Sequence, residues 1–372
     1  MIDADAAARS ASSPGPVGRD EWNERAEIAE AVVRARYVGG VPGIAWARSA
    51  WPAVPLVRRR RGGPARWHYW WSAHLVEAAV DAAHHRPSRR RRRRARGYVR
   101  GVWVRNGARW SRPFYDDIAW LGLALQRGAD VVGHRRPAER IAKRLAAAVD
   151  PATGAVPWRV GSRLFNAPAN GPAAILLART GRAAAATRLT DWVDEKLRDD
   201  STGLIIDGLV IDDEGTRAVT ELYTYCQGVA LGADVELANG DDRLAARAVT
   251  LIDAIAAWTG EARLLPGSGG GDGGLFAAIT CRYLAEAAAR LEKTADAAAE
   301  PTALRRAAAS ARSIVIANAE ALWAGRAIVD GLPVFASDAR TPADPALGAS
   351  ERDLSVQLGA WLTLEAAVAV TS

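Results

Sequence analysis

The feature that most constrains the fold of this 372-residue chain is a recurrence. Six times, polar or aromatic residues lead straight into a helix-length stretch that is apolar and rich in small residues nearly all round. The six stretches begin at Trp67-His68-Tyr69-Trp70-Trp71, Tyr115-Asp116-Asp117, Asn166-Ala167-Pro168-Ala169-Asn170, Tyr223-Thr224-Tyr225-Cys226-Gln227, Gly271-Asp272-Gly273-Gly274 and Asp353-Leu354-Ser355-Val356-Gln357. A helix that is apolar on every face is a buried helix. Between them lie stretches with one Arg- and Glu-rich face: Trp22 to Tyr37, about Ser88 to Val104, His134 to Val149, Arg182 to Arg198, Asp241 to Trp258 and Ala303 to Trp323. Buried and amphipathic helices thus alternate with a repeat of roughly 50 residues, as stacked helical hairpins do.

Six inner and six outer helices make an all-α fold, an (α/α)6 barrel. Its inner helices run the same way, so their polar N-terminal ends converge on one mouth. Abundant alanine and short β-branched runs favour helices, and 49% apolar residues supply a large core. A single barrel domain over residues 18–372 follows; the alternative, two helical domains, lacks a linker-like break in the middle. Residues 1–17, rich in Ala, Ser, Pro and Gly, read as a disordered tail. Gly39 to Pro64 reads as a long loop, and a second loop, Gly325 to Ser350, lengthens the last interval.

The charge of +7 is concentrated in the run Arg89 to Arg94, with Arg86, Arg96 and Arg100 nearby. Such a run can bind phosphate, but no nucleic-acid module accompanies it, and a solvated helix face is the plainer reading; no nucleic-acid partner is expected. No stretch of about 18 apolar residues predicts a membrane span. The N-terminus lacks a basic start and an apolar signal core, so the chain as given reads as soluble and cytoplasmic, or as secreted or envelope-bound if it is processed. Cys226 and Cys281 sit in apolar helical stretches as small hydrophobes. The histidines have no ligand spacing that closes a metal site, and the Gly-rich stretch Gly267 to Gly274 lacks the Lys-Ser/Thr ending of a phosphate loop. Neither metal nor cofactor is expected.

Tyr115-Asp116-Asp117-Ile118-Ala119-Trp120-Leu121 puts two carboxylates in the first turn of a buried helix. The positive helix end favours an ionised carboxylate, while crowding two of them drives their proton affinities apart. One then stays charged as its neighbour keeps a proton; an Asp cap followed by an acidic first turn is the purely structural alternative. The same mouth would gather Trp70, Trp71, His74, Tyr115, Trp120, Asn166, Asn170, Thr224, Tyr225, Gln227, Asp272, Ser355 and Gln357. Flat aromatic faces with Asn, Gln and Asp suit a sugar, which needs apolar surface for its C–H faces and fixed partners for its hydroxyls. The 14 Trp against 4 Phe fit that reading, although Trp also fills cores.

Tyr115-Asp116-Asp117-Ile118-Ala119-Trp120-Leu121, Asn170-Gly171-Pro172, Thr224-Tyr225-Cys226-Gln227-Gly228 and Asp272-Gly273-Gly274-Leu275-Phe276 resemble, in order and approximate spacing, glycoside hydrolase family 76, the bacterial and fungal α-1,6-mannanases. The resemblance runs from about Trp67 to the C-terminus. It implies an (α/α)6 fold, an endo-acting retaining mechanism and an α-1,6-linked mannan or mannooligosaccharide as partner, with Asp116 as nucleophile and Asp117 as acid/base. Trp71, His74, Tyr115, Trp120, Asn170, Tyr225, Gln227 and Asp272 are the expected substrate-binding residues, and the protein is expected to be a monomer. Cys226 departs from the family pattern, where Asn is expected. An epimerase or lyase on the same fold would need a His-based proton relay, for which only His74 is at hand, and a non-catalytic glycan-binding barrel is the reading from another class.

Overall fold

The structure, a computed structural model, describes residues 17–52, 67–298 and 300–371. The expected tail, except Val17, and the 53–64 part of the expected first loop lie outside the described residues. In chain order the helices are α1 (Arg19–Arg36), α2 (Tyr69–His85), α3 (Arg89–Arg105), α4 (Tyr115–Arg127), a single turn α5 (Ala129–Val132), α6 (Arg135–Ala146), α7 (Ala167–Arg179), α8 (Ala183–Leu197), α9 (Thr224–Leu237), α10 (Asp242–Thr259), α11 (Phe276–Ala295), α12 (Thr302–Ala324) and α13 (Leu354–Val370).

Six of them close a ring: α2 packs on α4, α4 on α7, α7 on α9, α9 on α11, α11 on α13, and α13 back on α2. Each carries a second helix outside it, α3 on α2, α6 on α4, α8 on α7, α10 on α9, α12 on α11 and α1 on α13. The chain is the (α/α)6 barrel that its alternating pattern predicts. Helix α13 buries every residue from Leu354 to Val368 because its sequence offers no polar stripe. In α6 only Ala138, Ile141, Ala142 and Leu145 are buried, one face at helical spacing. Small residues let the inner helices close up: a Cβ added at Gly228 of α9 would lie 2.8 Å from Thr280 Cα of α11.

Short strands interrupt the stretches read as loops. Val38–Val41 pairs antiparallel with Ile44–Ala47, so the expected loop from Gly39 begins as a hairpin. The hairpin lies on α3 at Gly101, where a Cβ would come 1.7 Å from the Ala45 carbonyl oxygen. Ala327–Val329 pairs with Leu332–Val334 inside the second expected loop, across Asp330 and Gly331 at φ of 50° and 73°, the positive values a tight hairpin turn needs. A three-stranded sheet of Leu164–Asn166, Gly208–Asp212 and Gly215–Val219 sits at the mouth and aligns Asn166 with Gly208.

Buried amides tie the connecting loops to the helices by one repeated device. Asn170 of α7 accepts from Val156 N–H at 2.8 Å and donates to Val156 O at 2.9 Å and to Asn166 O at 2.9 Å. Gln227 of α9 grips Ile205 in the same two-point way, and Gln357 of α13 grips Phe335. Asn318 of α12 accepts from Leu265 N–H and donates to Arg263 O. Each amide mimics a neighbouring peptide, so buried loop groups that no strand pairs are still satisfied.

At the other end of the barrel, below the mouth, buried charges pair. Arg282 of α11 bonds Asp81 and lies 3.4 Å from Glu77, Arg127 also bonds Asp81, and Arg179 bridges Glu236 at 2.8 Å and Glu286 at 2.7 Å. Arg282, with Arg127 and His74 contributing, draws the Glu77 carboxyl down to about 2 although burial opposes it. Among the described residues no helix is long and apolar enough to cross a membrane.

Candidate active site

The N-terminal ends of the inner helices surround a cleft of about 460 Å3. Trp70 of α2, Asp116 and Trp120 of α4, Tyr225 of α9 and Phe276 of α11 line it, with Trp158, Leu164, Asn166, Asp207, Tyr223, Ser268, Asp272 and Gly273 from the connections. Tyr225 and Phe276 stack at 3.9 Å with rings nearly parallel, and Tyr223 meets Phe276 edge-on at 5.3 Å. Aromatic faces and carboxylates therefore share one concave surface.

Asp272 rides on the helical turn Gly271–Leu275. Its Oδ1 accepts the indole N–H of Trp70 at 3.1 Å and of Trp71 at 3.0 Å, so two helix-borne indoles hold a loop carboxylate. The Gly-rich connection is pinned again where Gly271 N–H donates to Asp353 at 2.6 Å.

Asp116 and Asp117 occupy the first turn of α4. Asp116 Oδ1 accepts from the Asp117 backbone N–H at 2.8 Å, and Oδ2 accepts the indole N–H of Trp158 at 2.9 Å. Burial nevertheless raises the Asp116 carboxyl to about 6, with those two bonds pulling the other way. Asp117 is not among the cleft-lining residues; it flanks Asp116 with Oδ2 at 3.6 Å from Arg112 Nη1. Burial and then the neighbouring Asp116 charge push its carboxyl up to about 8, against the pull of Arg112. Two adjacent acids thus hold protons unequally, and the one facing the cleft ionises first.

The other expected site residues divide into two groups. Trp120, Tyr225 and Asp272 line the cleft. Trp71 lies behind Asp272 and stacks on His68 at 4.0 Å. His74 is buried beneath Trp120, 4.8 Å between rings, with Nδ1 on Glu77 at 3.0 Å. Tyr115 donates its backbone N–H to Trp158 O at 2.9 Å and lies under the Arg144 guanidinium. Asn170 and Gln227 are fully buried, their amides engaged by the loops described above.

Trp158, Asp207 and Phe276 were not among the expected site residues. Asp207 lies between Ile206 and the strand Gly208–Asp212, where no helical spacing marks it. Burial raises its carboxyl to about 6, while donors from Cys226, whose Sγ lies 3.8 Å from Oδ1, and Asn166 oppose the rise. Cys226, at the departure from the family pattern, thus faces a cleft carboxylate from beneath. Two of the three carry a signal in the sequence: Trp158 is a lone aromatic in a Pro- and Gly-rich connection, and Phe276 closes the Asp272–Phe276 motif.

Residues 23–327 match glycosyl hydrolase family 76. The fold is similar to that of the α-1,6-mannanase of Salegentibacter sp. HEL1_6, with a TM-score of 0.78 and 23% identity over 94% of this chain and 99% of that one. An inactive variant of that enzyme, with two consecutive aspartates replaced by asparagine and α-1,6-mannotriose bound, gives the same TM-score and coverage at 22% identity. The Lin0763 protein from Listeria innocua has a TM-score of 0.76 and 23% identity over 93% of this chain and 96% of its own. No curated protein matches the chain.

Proposed function

Because the chain belongs to glycosyl hydrolase family 76, we propose that it cleaves α-1,6-linked mannan within the polymer and with retention of configuration, Asp116 acting as nucleophile and Asp117 as acid/base. The observation that carries this reading is the placing of two adjacent carboxyls in the first turn of α4, Asp116 on the wall of an aromatic-lined cleft and Asp117 beside it. The inactive variant of the Salegentibacter enzyme, changed at two consecutive aspartates, supports the same assignment.

Asp116, held as a carboxylate by Trp158 and the Asp117 N–H, attacks the anomeric carbon. The glycosidic C–O bond breaks as Asp117 gives its proton to the departing oxygen, leaving a covalent mannosyl-enzyme. Asp117, now ionised, takes a proton from water. The water oxygen attacks the same carbon and Asp116 leaves, so two inversions restore the original configuration. Proton affinity matched to each role is what such a pair requires.

Trp70, Trp120, Tyr223, Tyr225 and Phe276 offer flat faces to the sugar ring, and Asp207, Asn166 and Asp272 offer partners to its hydroxyls. Trp71 and His74 act behind them, the first on Asp272 and the second under Trp120. Residues 18–372 work in this reading as one catalytic domain.

The test is incubation with linear α-1,6-mannooligosaccharides beside Asp116→Asn and Asp117→Asn, with products followed by chromatography and their anomeric form by NMR. Short α-configured products from the wild type alone support the proposal. β-configured products, or full activity in either variant, overturn the mechanism, and binding without cleavage by the wild type overturns the activity.

A further inference from the structure

Positive charge is gathered on one wall of the barrel. Residues 89–149 contain seventeen Arg or Lys and four Asp or Glu, a balance of +13 where the whole chain has only +7. Two of the four acids, Asp116 and Asp117, belong to the active site. Of the others, Asp130 is held by His84 at 3.1 Å and Glu139 by Arg182. The wall formed by α3 and α6 is left strongly cationic.

The arginines of α3 divide by face. Arg91 and Arg94 turn toward α1, where Arg91 meets Glu27 at 2.7 Å and both reach Glu30. Arg89, Arg92, Arg93, Arg96 and Arg100 follow the spacing of a single exposed stripe. The side chains of Arg89, Arg92 and Arg93 make no ion pair or hydrogen bond among the described residues, and neither do those of Arg135, Arg136 and Arg140 on α6. Arg89 to Arg92 crowd the positive end of α3, whose first turn contains no acid. Cations there oppose the helix dipole, so helix stability does not explain the run.

Apolar surface lies at one end of the stripe. Of the five large apolar side chains left exposed among the described residues, Trp103 (38%) and Val104 (43%) end α3, and Val41 (57%) sits on the hairpin that packs against α3. Arg100 bonds the Gly43 carbonyl of that hairpin. The connection after α3 leads into the first turn of α4, so this end is the mouth end.

We propose that the α3 wall docks on a bilayer surface through anionic lipid headgroups. The arginine stripe meets the phosphates, while Trp103, Val104 and Val41 enter the interfacial layer, and the cleft comes to lie beside the membrane. Exposed Trp and aliphatic groups next to arginines match the two-signal pattern of peripheral membrane binding, whereas a hydrated polyanion would leave the apolar groups in water. The wall is an outer helix face whose aromatic groups, Trp103 with Trp110 beside it at 6.4 Å, sit at one end and not in a row along the arginine stripe as successive stacked bases would need.

The test is sedimentation of the full chain with vesicles of phosphatidylcholine alone or with about one third phosphatidylglycerol. Binding is expected only to the anionic vesicles, with loss at high salt. The triple variant Arg89→Gln, Arg92→Gln, Arg93→Gln should bind roughly 100-fold more weakly, since each basic residue near the surface contributes about fivefold. Trp103→Ser should weaken vesicle binding about tenfold. Equal binding to neutral vesicles, no binding to anionic ones, or wild-type affinity in the triple variant overturns the proposal. Tight binding of duplex DNA or soluble polyphosphate, with Trp103→Ser neutral, overturns it in favour of a free polyanion. Thermal melting checks that the variants fold, and the salt and Trp103 comparisons stand without the triple variant. Neither change touches the cleft, so cleavage of soluble oligosaccharide is expected to be unaltered and the outcome is independent of the proposed activity.

Discussion

Replacing Trp158 by Phe isolates the force that keeps Asp116 ionised. The indole N–H donates to Asp116 Oδ2 at 2.9 Å, and its ring packs edge-on against Phe114 at 5.1 Å. Phenylalanine keeps much of the packing and removes the donor. A hydrogen bond to a charged group contributes about 1.5–3 kcal/mol, and 1.36 kcal/mol moves a titration by about one pH unit. Water in the open cleft replaces part of the lost bond, which sets the lower end of that range. The Asp116 carboxyl, already lifted by burial to about 6, then titrates about one unit higher. Asp116 reacts as the carboxylate, so the acid limb of kcat/KM on an α-1,6-mannooligosaccharide moves up by the same interval. Activity at pH 6 falls about fivefold and at pH 8 barely changes. Asn170→Ala, which frees Val156 two residues before Trp158, is expected to move the limb in the same direction. An acid limb that stays in place while Tm falls would show that Trp158 merely packs, and would refute the argument.

Asp117→Asn should stabilise the protein while abolishing activity. Well below about pH 4 the carboxyl is protonated in the folded and unfolded chain alike, so the substitution is neutral there. Folding raises the group to about 8, so as pH climbs through that interval the native state is progressively penalised for a charge the unfolded chain holds in water. A higher Tm than wild type at pH 8, by about 2 °C or more, with little gain at about pH 3 is the expected calorimetric result; the same difference from wild type at both pH values would contradict it. Arg282→Met leaves Asp81 and Glu77 buried without their shared cation and should cost about 3–5 kcal/mol in urea unfolding, against which a loss below about 1 kcal/mol would count decisively. Burial pushes the Cys281 thiol up to about 12 and Cys226 well above its ordinary value. Neither thiol should react with a disulfide reagent at pH 8 until denaturant is added, and prompt labelling of the native protein would overturn that expectation.

The barrel was legible because it is written twice, as all-round apolar stretches such as Leu354–Val368 and as one-faced stretches such as Ala138–Leu145. Periodicity is a local property, so inner and outer helices could be told apart, and with them the mouth at which Asp116, Trp120, Tyr225 and Asp272 gather. The sheet that brings Asp207 to the cleft depends on pairing between segments distant in sequence, and the hairpin at Val38–Ala47, though local, has strands of only four residues with a period the helical pattern does not register. Asn170 and Gln227 show the same limit. Their residue type marks them as polar and buried, but whether an amide meets a substrate or a loop depends on what the chain folds over it, here Val156 and Ile205. The sequence by itself determined a helical barrel with an acidic pair at its mouth, since the spacing of apolar residues and the start of a helix are both set within a few residues. Only the tertiary structure decided which groups reach the cleft and how strongly each acid keeps its proton, because burial and the company of Trp158, Arg112 and Asp272 arise from contacts across the chain.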